Sequence, residues 1–379
     1  MKIIALSAED DLFCQNRIFD IFWAKKYPGA SWIPLFKQYL ATEFEVVTAD
    51  IALNHVSHGF WQAKDIMVIQ HGNDHITHKL IKAGASPLAL TCFESPLYIG
   101  EFYNQVSSIA PVFKHRVLFS GLHKYYKAES GINHLVTFPS YFLNELDIQK
   151  SAWKQRKFMV AVIGNKYVIP SCCPGLHKPM EWFWWIRKKL AQYIYKSSLS
   201  GNFPVKSIQL QDFRLEIISF FMAHTLLDLY GKGWDLLSNL PPYWQTKLTP
   251  LLKNNPAKPC DNKLEKIRNY KYGLCIENAK FPGYVTEKIV DCLVAGVIPL
   301  YMGAPNIEEF IPKTCFIDFR DYRNLDDLMT YLQNMPENDA TEMIVCGQQF
   351  LQSDRGKLYS YEGFAEFMAN IVITDCKVS

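Results

Sequence analysis

Short apolar runs bounded by polar turns recur through the first 93 residues, at positions 2–7, 43–48, 65–70 and 87–93. Their length and their Ile, Val and Leu content predict strands buried on both faces. Between them, 15–25 and 75–83 have the spacing of a helix face. Strand and helix in alternation predict a parallel sheet covered by helices. From 94 to about 150 the periodicity fades, and the chain reads as irregular and loop-rich. A second alternating set follows. Residues 157–164, 227–231, 272–276, 297–301 and 314–318 predict strands, 213–226 and 287–295 predict helices, and the chain after Asp327 reads as helical to about Val372. Two α/β units joined near 147–156 predict a bilobal enzyme with a cleft. The expected division is 1–150, then 151–335 with an insertion near 166–210, then a helical tail over 336–379.

Composition narrows the function classes. An apolar share of 49% and a charged share of 20% exclude wholesale disorder, and 379 residues allow two or three domains. Forty basic against 37 acidic side chains leave a net charge of +3, too little for an electrostatic grip on nucleic acid. The ten cysteines form no Cys-x-x-Cys, and several sit in apolar runs, so buried free thiols in a reducing compartment are expected. There is no Asn-x-Ser/Thr sequon, the opening apolar stretch is too short for a signal peptide, and no uncharged apolar run reaches ~18 residues. A cytoplasmic protein is expected, with peripheral contact at the inner membrane as an option.

One segment carries chemistry. From Cys275 to Val290 the sequence reads strand, polar turn, helix start, with Thr286 placed to cap the helix and Glu287 and Lys288 in its first turn. Free N–H groups and a lysine at the carboxyl end of a strand suit a phosphate. A well-capped helix with no ligand fits the same residues equally well.

The order and spacing of these residues resemble the alpha-1,3-fucosyltransferase family, glycosyltransferase family ten. The similarity runs from Lys263-Leu264-Glu265 through Tyr270-Lys271-Tyr272, Glu277-Asn278 and Tyr284-Val285-Thr286-Glu287-Lys288 to Ala295–Gly303, Phe310-Ile311-Pro312 and Phe316-Ile317-Asp318. Gly-Tyr-Val-Thr-Glu-Lys is similar to bacterial members. The resemblance implies a GT-B architecture, two Rossmann-like domains facing across a cleft, with GDP-fucose as donor and inversion at the anomeric carbon. It implies donor contacts at Asn278, Tyr284, Glu287 and Lys288. Lys288 would meet the diphosphate, and Glu287 the sugar, the ribose or the cationic anomeric carbon. Leu227–Gly231 also resembles the family, where a phosphate-binding arginine begins the preceding helix; Arg214 holds that place, against a reading as an exposed helix-start arginine. Guanidinium suits phosphate bidentately.

Phe93-Glu94-Ser95-Pro96 follows a predicted strand, and Pro96 ends it, so Glu94 is expected at the carboxyl end of that strand. A similar Glu-Ser-Pro in the family implies Glu94 as general base; by itself Glu94 reads as a loop carboxylate. The implied reaction sends the acceptor proton to Glu94 while Lys288, Arg214 and a helix end meet the charge on departing GDP. No Asp-x-Asp occurs, so no cofactor is expected beyond the donor substrate, and a divalent metal would at most stimulate. The acceptor implied is an oligosaccharide or glycolipid bearing N-acetylglucosamine. Rivals are another nucleotide sugar on the same scaffold and a silent glycan- or nucleotide-binding module.

Two segments stay outside this scheme. His71, His75 and His78 recur three or four apart; a polar helix face explains them more simply than a metal site. Glu181–Leu190, with Trp182, Trp184 and Trp185 beside Arg187 and two lysines, reads as a packed inserted helix or as a membrane- or glycan-facing one.

Overall fold

The computed structural model describes residues 2–7, 13–27, 29–96, 99–135, 138–146, 152–165 and 209–378. These divide into two compact units. The first comprises Met1–Leu146, Phe281–Glu287 and Leu351–Ser379; the second comprises Asp147–Lys280 and Lys288–Phe350. The expected tail over 336–379 does not stand apart, because its two halves group with different units.

The first unit holds a six-stranded sheet, β1 Lys2–Leu6, β2 Phe44–Thr48, β3 Ile66–His71, β4 Ser86–Thr91, β5 His115–Leu118 and β6 Ile132–Leu135. Its spatial order is β2-β1-β3-β4-β5-β6, with every pairing parallel. Ile4 lies beside Val46 on one side and Met67 on the other. Ile3, Ala5, Val47, Ile66 and Val68 are buried against the helices Ala49–Ser57 and His75–Lys82. The apolar runs therefore form buried parallel strands, as their pattern predicts.

The stretch after 94 is more ordered than its sequence suggests. It contains a ten-residue helix, Gly100–Ile109, as well as β5 and β6. These strands escape a periodicity search because β5 opens on buried His115 and Arg116 and β6 is a largely exposed strand at the sheet edge. Arg116, only 1% exposed, donates to Asn133 Oδ1 at 2.7 Å, Phe113 O at 2.8 Å and Ser130 O at 3.1 Å. A buried arginine bonded through all three guanidinium nitrogens packs like core but reads as loop.

The second unit has β7 Lys157–Val162, β8 Leu227–Tyr230, β9 Tyr270–Ile276, β10 Ile298–Met302 and β11 Ile317–Asp318, ordered β11-β10-β9-β7-β8 and again all parallel. The expected strand at 314–318 shrinks to two residues, because Lys313–Cys315 forms a 3₁₀ turn. The helical ending runs on to Val378. Gly231 turns the chain after β8 with φ +135°, and a Cβ there would lie 2.3 Å from Ile163 O, so the tight return needs glycine. Both units are Rossmann-like. In each, the strand order reverses beside the first strand, β1/β3 in one and β7/β9 in the other, where such sheets leave room for ligands at their carboxyl ends.

Candidate active site

In the first unit a cavity of about 380 Å³ lies at the carboxyl ends of β1, β3 and β4, the reversal point of that sheet. Ser7, His71, Thr91, Phe93 and Glu94 line it from the strand ends. Glu94 sits in the turn after β4 with an exposed side chain. Its backbone is held: the Tyr103 hydroxyl donates to Glu94 O at 2.7 Å, and Ser95 beside it is fully buried. Phe93 behind it meets Phe364 edge-on at 5.6 Å and Phe138 at 6.0 Å. A fixed backbone and an accessible carboxylate are what a general base requires.

His71 belongs to a polar lattice at the same strand ends. Its Nδ1 lies 3.0 Å from Thr91 Oγ1, and Thr91 donates its single proton to Gln70 O at 3.2 Å. Burial lowers the His71 pKa to about 4 despite the opposing pull of Asp74, so the ring is neutral at ordinary pH. Ser7 donates to Asp74 Oδ2 at 2.6 Å, while Asp74 Oδ1 caps the helix His75–Lys82 through Ile76 N at 2.7 Å. Asp74 thus anchors one strand and one helix at once.

In the second unit the candidate site gathers at the carboxyl end of β9. Arg214, on the helix Gln211–Ala223, is 8% exposed and not the surface arginine its position also allowed. Its Nη2 donates to Ile276 O and Asn278 Oδ1, both at 2.9 Å. Leu210 N also donates to Asn278 O at 3.2 Å, so the helix start and the strand end are tied by backbone and side chain together. Lys288 Nζ lies 2.9 Å from Glu277 Oε2. Glu277 is fully buried, and a Cβ on Gly303 would come within 2.5 Å of its Cγ and of Tyr301 Oη, so a glycine there makes room for the carboxylate. Burial, then Glu277 itself, pushes the Tyr301 phenol well above its ordinary range.

The loop Phe281–Glu287 groups with the first unit. Gly121 N donates to Pro282 O at 3.0 Å, Phe281 meets Tyr103 edge-on at 5.9 Å, and Tyr284 meets Phe119 at 5.2 Å. Tyr284 is 2% exposed, a packed ring. Gly283 turns the loop with φ +77°, a conformation open to glycine. Glu287 is the first residue of the helix Glu287–Val294, and Lys288 the second.

The structure thus brings together Arg214 and Asn278 in one unit, and places Glu94 on the cavity of the other. Two residues were missed by sequence reasoning. Glu277 was visible only as part of Glu-Asn after a strand, and nothing marked it as the partner of Lys288. His71 was weighed as a metal ligand and set aside in favour of a polar helix face; it ends β3, whereas His75 begins a helix, and no group of three metal-ligating side chains occurs among the described residues. The Trp182–Trp185 segment and its insertion lie outside the described residues. No described helix is long and apolar enough to cross a membrane.

Comparison with known proteins bears on this arrangement. Residues 202–343 match the model of glycosyltransferase family 10 (fucosyltransferase), C-terminal region. The chain is similar to alpha-(1,3)-fucosyltransferase FucT of Helicobacter pylori, 33% identical over 115 residues, which is 30% of this chain and 24% of that protein. It is also similar to alpha-(1,3)-fucosyltransferase B of Drosophila melanogaster, 30% identical over 153 residues, 39% of this chain and 32% of that one. The chain thus matches about a quarter to a third of the length of these relatives. Among solved structures, the sucrose-phosphate synthase of Thermosynechococcus elongatus covers 100% of both chains with a TM-score of 0.60 at 9% identity, a likeness of fold alone.

Proposed function

We propose that this chain, whose residues 202–343 match the model of glycosyltransferase family 10 (fucosyltransferase), transfers fucose from GDP-fucose, with inversion, to a hydroxyl of an oligosaccharide or glycolipid containing N-acetylglucosamine, in α-1,3 linkage. The observation that carries the reading is the cation set at the β9 end: buried Arg214 locked to Asn278, and Lys288 oriented by Glu277. Guanidinium and ammonium held by protein acceptors need no reorganisation when a diphosphate arrives.

The acceptor oxygen bonds to the anomeric carbon as that carbon's bond to the β-phosphate oxygen breaks. The acceptor proton passes to the Glu94 carboxylate, and GDP departs with the bonding electrons. Lys288 and Arg214 meet its growing negative charge, assisted by the helix beginning at Glu287. In this reading Glu287 meets the sugar or ribose side or favours cationic character at the anomeric carbon, and Asn278 and Tyr284 are donor contacts. Because these charges belong to the protein, transfer proceeds in excess chelator. The setting is cytoplasmic, with peripheral contact at the inner membrane.

Thermal shift with GDP, UDP and CMP tests the donor. A ligand at 100 times its Kd adds about 2.7 kcal/mol of stability. GDP is expected to stabilise the chain; stabilisation by UDP and not by GDP would sink the fucose reading.

A further inference from the structure

Two cysteines at the β9 end serve no step of the transfer. Cys275 lies in β9, and Cys292 in the helix Glu287–Val294, one turn after Lys288. Both are free and buried, and their sulfurs lie 3.4 Å apart. A Cβ on Gly273 would come within 2.4 Å of Cys292 Sγ, so β9 leaves out a side chain where that sulfur sits. Glycine inside a strand weakens it and marks a close approach, here of helix to strand. The Cys275 sulfur is also 3.1 Å from Lys288 O, within reach for its thiol proton. Lys288 in turn holds Glu277 through its Nζ. The thiol pair therefore sits between the strand and the turn of helix that carries the cation. Cys292 is the more reachable of the two, because it lines a small open cavity with Lys263 and Lys288. Burial, then the contact with Cys292, pushes the Cys275 thiol well above its ordinary range, so Cys275 rests protonated.

We propose that Cys275 and Cys292 close into a reversible disulfide that switches the donor site off under oxidation. Hydrogen peroxide is the co-reactant. The Cys292 sulfur attacks one peroxide oxygen and the O–O bond breaks; the thiol proton joins the departing hydroxide as water, leaving a sulfenic acid. The Cys275 sulfur then attacks the Cys292 sulfur. The S–O bond breaks, the S–S bond forms, and the hydroxyl leaves with the Cys275 proton as a second water. Two thiols give up two electrons and two protons, and one peroxide becomes two waters. A disulfide holds its sulfurs about 2.05 Å apart, so the pair must close in from 3.4 Å. A close-packed interior passes that movement to the helix and the strand. Closure also removes the proton within reach of Lys288 O. A misplacement of about 1 Å at a catalytic group costs about 10²-fold in rate. In a reducing compartment such a pair rests as thiols and closes transiently. The inference rests on the transferase reading and deepens it, as a regulation of the donor site.

The test treats the full chain, reduced and freed of reductant, with hydrogen peroxide. Remaining thiols are alkylated, the peptides are mapped by mass, and GDP binding is followed by calorimetry. The expected result is a peptide pair joined through Cys275 and Cys292, weaker GDP binding, and kcat/KM with GDP-fucose lower by about 10²-fold. A thiol reductant is expected to restore both. Cys292→Ala and Cys275→Ala are each expected to bind GDP like the reduced wild type and to keep that affinity in peroxide. Absence of the joined pair overturns the inference, whatever activity does, and this reading needs no variant. A joined pair that leaves GDP affinity unchanged overturns it as well, and so does an equal loss of affinity in the two variants. A reduced wild type that binds GDP but fucosylates no glycan on an array removes the transferase reading alone, since the peptide map and the calorimetry still decide the switch. A reduced wild type that binds no GDP overturns both.

Discussion

Lys288 meets a buried carboxylate before it meets any ligand, and this sets what its loss should do. Glu277 is fully buried at the β9 end, so Lys288→Met removes a cationic partner from a carboxylate that burial penalises. Breaking such a pair from one side costs about 3 kcal/mol. Adding Glu277→Gln should recover much of that stability while GDP affinity stays low, a pattern that separates folding from binding and is read by denaturant unfolding and calorimetry. Glu94 is different: its side chain is exposed, and its backbone is held by Tyr103. Glu94→Gln should therefore fold normally and bind GDP, while transfer falls about 10²–10⁴-fold. Near-normal turnover would take Glu94 out of the mechanism. At this scale the sequence showed which residue types gather, through the family resemblance, and hid how they pair. Arg214 could be read as surface or site from its position, and only its contacts with Ile276 and Asn278 decide that it is buried.

The C-terminal helix, Tyr361–Val378, matters to the first unit more than a tail would. Phe364 packs edge-on against both Trp32 and Phe93, and Tyr361 N donates to Tyr141 O at 2.8 Å. Phe364→Ala removes a buried ring that braces the residue before Glu94. It should destabilise the first unit by about 3–5 kcal/mol and reduce turnover more than GDP affinity, since the donor residues of the β9 end lie in the other unit. Elements with long apolar runs were legible in the sequence to within a few residues: β1 to β4, β7 to β10 and the helix Glu287–Val294. Elements built on polar side chains were not. β5 and β6 place His115, Arg116, Asn133 and His134 at paired positions, and these residues write no strand pattern. The grouping of the helix Tyr361–Val378 with the first unit is a long-range fact that no local pattern records.

Over the whole molecule, the histidines give stability a direction with pH. Burial lowers His71 to about 4, and burial followed by His115 and Arg116 does the same to His134. Between the ordinary value of 6.5 and about 4, the unfolded chain binds protons that the folded chain refuses, so stability is full above this window and declines as pH falls through it. By pH 5 each such histidine costs on the order of 1–2 kcal/mol. His71→Phe should flatten the decline between pH 6.5 and 5, measured by urea unfolding. Asp228 acts lower down. Burial raises it, but hydrogen bonds from Tyr270, Lys157 and Lys258 outweigh that and hold it at about 2, so its contribution is lost only below its ordinary 3.8.

We propose that two Rossmann-like units, one carrying Glu94 and one carrying Arg214 and Lys288, transfer fucose from GDP-fucose with inversion. The most direct test is proton NMR of the products formed from β-linked GDP-fucose and N-acetyllactosamine, with Glu94→Gln run alongside. An α-linked fucosyl product is expected, with one GDP released per transfer, formed about 10²–10⁴-fold more slowly by the variant. Product of β configuration, or turnover with a UDP or CMP sugar and none with GDP-fucose, would contradict it.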